Sequence, residues 1–219
     1  MSQAGPGSSA EPCTLVIFGG SGDLAKRKLV PAVYNLLLDG VLPPNYAILG
    51  LGRKPLSDEE FRASSRDGVT KYSRQKLADA KWKDFERRLF YLSSSIDEPQ
   101  SYHDIKTRCE KIEAELKLPG NRIFYLAIPP TSFAPACEGL KQAGLIQAIG
   151  NKSPFSRVIV EKPIGHDLAS AREINSTVDD PAAVIERVAG AYPVAAQDRL
   201  DGLTVDLGGW WFNLRASNT

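Results

Sequence analysis

Residues 13–31 read CTLVIFGGSGDLAKRKLVP, and this stretch decides the fold. The apolar run at 15–18 is long enough for one buried strand. It ends in Gly19-Gly20-Ser21-Gly22, and a helical pattern starts at once with Asp23, Leu24 and Ala25. A strand, a glycine turn and a helix start, in that order, bring bare backbone N–H groups to a place where a pyrophosphate can sit. The glycine frame is Gly19-x-x-Gly22-x-x-Ala25. Gly19 can turn without a Cβ penalty. Gly22 admits backbone close to a phosphate, and the small Ala25 lets the helix approach the strand. Ser21 adds a hydroxyl donor. An ordinary tight turn between strand and helix has the same outline, so the frame needs support from its surroundings.

Downstream, strand and helix signals alternate. Leu24, Leu29, Val33, Leu36 and Leu37 continue the first helix, with Asp39-Gly40 as its stop and Pro31 as an expected kink. A second strand at 46–51 closes in Gly52-Arg53-Lys54-Pro55. Ser57-Asp58-Glu59-Glu60 reads as a capping box that opens a charge-rich, broken helical stretch reaching about residue 88. A short strand follows at 89–92. Then Ile105, Cys109, Ile112 and Leu116 recur at helical spacing until Pro119-Gly120. Residues 122–128 are apolar nearly throughout, as in a strand covered on both faces, and run into Pro129-Pro130. A helix at 135–144 and a fifth strand at 157–160 complete the alternation, and Asp167 caps a helix running toward Val178. The pattern predicts an α/β unit, a Rossmann-type parallel sheet with helices on both faces.

The end of the second strand selects the cofactor. A unit that prefers NAD places a carboxylate there for the ribose 2′-hydroxyl. Here Arg53 and Lys54 stand instead. A planar, permanently charged guanidinium suits a 2′-phosphate, so NADP is the expected dinucleotide. The two prolines after the fourth strand form a stiff turn beside the place where open α/β sheets hold ligands.

The run GGSGDLAKRKLVPA resembles the signature of glucose-6-phosphate dehydrogenases. GLGRKPLSDEEFR (50–62), NRIFYLAIPPTSF (121–133) and RVIVEKPIGHDLASA (157–171) follow in the same order as in that family. The resemblance spans about residues 13–175 and implies an NADP-binding domain. It implies that Gly19, Ser21, Gly22, Asp23, Leu24 and Arg53 hold the cofactor. It further implies that Tyr91 lies against the cofactor, that Ile128 and Pro129 line the nicotinamide end, and that Lys162 sits at the reaction centre between cofactor and sugar. The implied reaction is hydride transfer from C1 of glucose 6-phosphate to NADP, in the pentose phosphate pathway of the cytoplasm.

Past Glu173-Ile174-Asn175-Ser176 that resemblance stops. The family's Arg-Ile-Asp-His-Tyr-Leu-Gly-Lys segment, with its sugar-phosphate contacts, and the later histidine base have no counterpart. The two histidines, His103 and His166, fall on the packing helix and in the loop after Lys162. A general base contributes ~100- to 10,000-fold in rate, so the expectation is weak turnover or none. Residues 176–219 resemble the last domain of phosphomannomutases and phosphoglucomutases. There Arg215, Ser217, Asn218 and Thr219 match a phosphate-holding loop, without the Glu-Pro that follows in that family. In this tail 203–207 and 210–214 read as a β-hairpin across Gly208-Gly209, after a short helix. The domain reading is therefore a disordered tail (1–12), an NADP-binding Rossmann domain (13–175) and a phosphohexomutase-like fragment (176–219). A non-catalytic NADP-binding chimera is the alternative, and a phosphohexomutase a remote one.

Composition sets the outer bounds. The 219 residues are 42% hydrophobic and 24% charged with a formal charge of +1, ordinary for a globular protein and without the basic excess of a nucleic-acid binder. Cys13, Cys109 and Cys137 have neither zinc spacing nor a disulfide framework, and no metal is expected. The polar N-terminus lacks the apolar core of a signal peptide, and no run approaches the ~20 apolar residues of a membrane span. The sequence leaves the oligomeric state open.

Overall fold

The computed structural model describes residues 11–146, 154–160, 203–206 and 211–214. Five parallel strands form one sheet: β1 (Cys13–Phe18), β2 (Tyr46–Gly52), β3 (Leu89–Ser93), β4 (Arg122–Leu126) and β5 (Ser156–Val160). Their order is β3-β2-β1-β4-β5. Each neighbouring pair is parallel, with register set by pairs such as Leu15 with Ile48 and Leu15 with Ile123. Chain order reverses between β1 and β4, so a crevice opens at the carboxyl ends of those two strands.

Alternate residues of β1 serve opposite layers. Cys13, Leu15 and Ile17 face one apolar cluster with α1 (Val30–Leu38), α2 (Asp58–Tyr72) and α3 (Asp79–Glu86). Val16 and Phe18 face the other, with α4 (Pro99–Leu116) and α5 (Phe133–Gln142). Both faces are thus covered, which explains why every residue of β1 is buried. The expected doubly covered parallel sheet is present.

Local signals account for the boundaries. Ser57 Oγ accepts from the Glu60 N–H at 3.2 Å while Glu60 accepts from the Ser57 N–H at 2.7 Å, completing the capping box. Gly40 adopts φ +69° after α1, and its N–H and that of Val41 donate to Leu37 and Leu36, the expected stop. The charge-rich stretch is two helices, α2 and α3. Pro31 stands in the first turn of α1, and residues Ala25–Leu29 just before it are π-helical and run directly into that helix. The wider turn lets the chain pass a residue without an N–H donor. Strand β4 stops at Leu126, two residues short of expectation, and Ser132 N–H bonds to Pro129 O as a 3₁₀ turn (Pro130–Ser132) leads into α5. In the tail, β6 (Leu203–Asp206) and β7 (Trp211–Leu214) pair antiparallel, as expected of a hairpin. The N-terminal tail, residues 1–10, and the expected helices after residue 160 lie outside the described residues.

Candidate functional site: the glycine turn and its neighbours

The glycine turn leaves β1 at Phe18 and is held from both sides. Gly19 has φ +81°, and a Cβ there would collide with the carbonyl oxygen of Ala127 at the exit of β4. Only glycine satisfies both demands. On the other flank, Gly20 N–H donates to Leu51 O at 2.7 Å, tying the turn to the end of β2. Ala127 N–H donates to Phe18 O at 3.1 Å, tying it to β4. The turn therefore sits in the crevice at the reversal of strand order.

Gly22 has a job inside the turn. Its N–H donates to Gly19 O at 2.8 Å, and a Cβ would meet that oxygen at 2.9 Å. Its small size is thus required by the turn itself. Helical backbone begins at Asp23, so the amides of Asp23 and Leu24 stand in the first turn, where intrahelical acceptors are lacking. Those amides and the helix dipole suit an anion. Leu24 is half-buried against the core, and Ala25 is fully buried, as close packing of helix on strand requires. Asp23 is exposed and pairs with Arg27 at 3.3 Å.

Arg53 is exposed at the turn after β2 and has no hydrogen bond or ion pair among the described residues. Ile128, half-buried, and Pro129, exposed, flank the same crevice beyond β4. The last residue of β5, Val160, reaches this carboxyl edge of the sheet. Lys162, His166, Arg215, Ser217, Asn218 and Thr219 lie outside the described residues.

Two of the expected contacts, Tyr91 and Ser21, stand next to each other in the fold. Tyr91 is 4% exposed, and its hydroxyl donates to Lys54 O at 2.8 Å. Burial pushes the phenol pKa up, and a hydrogen bond from Ser21 works against that shift. Ser21 is thus placed beside the Tyr91 hydroxyl. Gly52 makes this possible, since a Cβ there would lie under 3.0 Å from both Ser21 Oγ and Tyr91 Oη. Below, Asp58 accepts from Tyr91 N–H at 2.7 Å and from Arg108 at 2.7 Å.

Sequence reasoning missed Gly52, Asp58 and Arg108. The Gly-Arg step at a strand end was the one available signal for Gly52. It also gave no separate role to Lys28, which is half-buried in the π-helical stretch with no ion pair among the described residues. Among those residues no group of three or more metal-ligating side chains occurs, and no helix is long and apolar enough to cross a membrane.

Comparison with known proteins agrees with this fold. The family model for the glucose-6-phosphate dehydrogenase NAD-binding domain matches residues 16–183. A Mycobacterium bovis protein named glucose-6-phosphate 1-dehydrogenase 2 is 39% identical over 170 residues, covering 78% of this chain and 33% of the relative. The Bacillus subtilis glucose-6-phosphate 1-dehydrogenase is 36% identical over 164 residues, covering 75% of this chain and 32% of the relative. A solved glucose-6-phosphate dehydrogenase in complex with its substrate glucose 6-phosphate superposes with TM-score 0.68 at 34% identity, covering 83% of this chain and 37% of that one. The Mycobacterium avium enzyme gives 0.65 at 31% identity, covering 80% and 35%. The chain spans about a third of the length of these relatives. It belongs to the family of the glucose-6-phosphate dehydrogenase NAD-binding domain.

Proposed function

We propose that this chain is the NADP-binding domain of a glucose-6-phosphate dehydrogenase. The observation that carries the reading is Arg53, an exposed cation without a partner among the described residues, held beside the glycine turn by the Gly20–Leu51 hydrogen bond of 2.7 Å. A 2′-phosphate supplies the anion that such a guanidinium can grip in two-point fashion. The pyrophosphate lies over the amides of Asp23 and Leu24 with Gly19 and Gly22 shaping the turn. The nicotinamide extends toward Ile128 and Pro129.

In the longer relatives' setting the reaction is hydride transfer from C1 of glucose 6-phosphate to NADP, in the cytoplasm. Lys162 then stands between cofactor and sugar, two residues beyond the end of β5. Residues 13–175 form the cofactor domain. Residues 176–219, of which 176–183 still fall within the family match, form a fragment that resembles a phosphohexomutase domain, with Arg215, Ser217, Asn218 and Thr219 as its phosphate loop.

Titration of the chain with NADP and with NAD, followed by thermal unfolding and tryptophan fluorescence, tests cofactor binding. Saturable stabilisation by NADP and a much weaker response to NAD is the expected result. No response to either overturns the reading. An NADPH-forming assay with glucose 6-phosphate tests turnover, which is expected to be weak or absent because these 219 residues hold no counterpart of the histidine base segment. Binding without turnover is also the behaviour of a non-catalytic NADP-binding chimera, whereas a normal rate excludes that alternative.

A further inference from the structure

Tyr91 stands where three segments meet, and each of its polar groups is committed. Its N–H is taken by Asp58 Oδ1 at 2.7 Å, and the same carboxylate receives Arg108 at 2.7 Å. Its ring lies 5.3 Å from that of Phe61. Its hydroxyl donates to the Lys54 carbonyl at 2.8 Å and receives Ser21 on its other side. At 4% exposure little of the side chain is left for a ligand to touch.

The two hydroxyl contacts join different loops. Ser21 belongs to the glycine turn after β1, and Lys54 directly follows Arg53 in the turn after β2. That second turn is solvent-facing, with Arg53, Lys54 and Pro55 all exposed. From the β3 side it is tied by Ser94 N–H to Gly52 O at 2.9 Å and by Tyr91 to Lys54 O. An arginine on such a turn reaches a phosphate in a fixed geometry only if its backbone is fixed.

We propose that Tyr91 is a positioning residue for cofactor selectivity: its hydroxyl sets the spacing between the turn that takes the pyrophosphate and the turn that presents Arg53 to the 2′-phosphate. The inference rests on the NADP reading above and deepens it. Gly52 is part of the device, because any side chain there would wedge Ser21 and Tyr91 apart. NAD has no 2′-phosphate and uses only the first turn. Loosening the second turn therefore weakens NADP and spares NAD.

The test is Tyr91→Phe in the full chain, with dissociation constants for NADP and NAD measured by tryptophan fluorescence. The ring contact and the N–H bond to Asp58 survive this change, and circular dichroism checks the fold. Loss of one hydrogen bond is expected to lower the NADP-to-NAD affinity ratio about three- to tenfold. In an Arg53→Ala background the same change should leave the ratio unmoved, because the effect runs through Arg53. A structural role alone would weaken both cofactors together. Equal weakening, an unchanged ratio, or a drop that persists without Arg53 overturns the inference. Wild-type chain that binds neither cofactor overturns the NADP reading itself, and the inference with it.

Discussion

At the amino-end edge of the sheet, Arg122 and Glu113 meet in a bidentate ion pair, with bonds of 2.8 and 2.7 Å and side chains only 6% and 9% exposed. At the carboxyl edge, Arg53 stands exposed with no partner among the described residues. The first edge is closed chemically as well as sterically. Thr14 adds a longer bond to Glu113, and Asn121 links Pro12, Thr14 and Phe155 by bonds of 2.9 to 3.0 Å. The second edge spends its hydrogen bonds on arranging turns and leaves a cation unanswered. A charge satisfied inside the chain holds the fold, whereas an exposed charge without a partner among the described residues is accessible to solution.

The largest expected effect comes from breaking the closed edge. Glu113→Ala strands the Arg122 guanidinium among apolar groups and should cost about 3–5 kcal/mol in urea unfolding. NADP affinity of the molecules that remain folded should not change. A cost under ~1 kcal/mol would mean that water enters this edge and that the contrast is false.

Next is the open edge. Arg53→Ala should lower NADP affinity about tenfold to a hundredfold, the range of a hydrogen-bonded charge pair, with NAD affinity unchanged. Its unfolding midpoint should barely move, since exposed substitutions usually fall within about 0.5 kcal/mol. Substantial destabilisation would show that Arg53 has a structural partner.

A smaller effect is expected from Ser57→Ala. Loss of the capping hydroxyl should cost about 1 kcal/mol by thermal unfolding. The cap lies one residue before Asp58, which holds Tyr91, so a change in the NADP-to-NAD ratio would reveal coupling between the cap and the site.

The smallest effect at ordinary pH concerns the thiols. Burial above all pushes Cys13 and Cys109 up to about 12 and Cys137 up to about 11. The fold thus retains protons that the unfolded chain gives up from pH about 9. Their contribution is complete below pH 9 and is lost as pH rises through 11 to 12. Urea midpoints should agree at pH 7 and 8 and fall modestly at 9.5. All three thiols should resist alkylation at pH 8 until the chain unfolds.

Much of this was legible from local chemistry. The glycine frame, the capping box, the Asp39-Gly40 stop and the alternation of elements depend on residues a few positions apart, and each is present. Arg53 was legible because its position follows from the end of one strand. Tyr91 was harder. Its partners come from Ser21, Lys54 and Asp58, and they converge only through the pairing that sets Gly50 opposite Tyr91 and Gly52 opposite Ser93. Glu113 carries no local signal of its role, since its partner arrives from β4. The π-helical stretch was hidden because Pro31 announces a disturbance without saying which kind. Lys162 and the Arg215 to Thr219 loop rest on resemblance alone.

The π-helical stretch at Ala25–Leu29 also makes this helix a register device. Each residue added to or removed from an α-helix turns everything beyond it by about 100°. Deleting one residue between Lys26 and Lys28 could restore regular α-helix, but only by rotating one end relative to the other. Either Val33 and Tyr34 would leave the core, where both are fully buried, or the amides at Asp23 and Leu24 would swing away from the glycine turn. The length of this segment is therefore as constrained as its composition, and relatives should vary its side chains far more readily than its residue count.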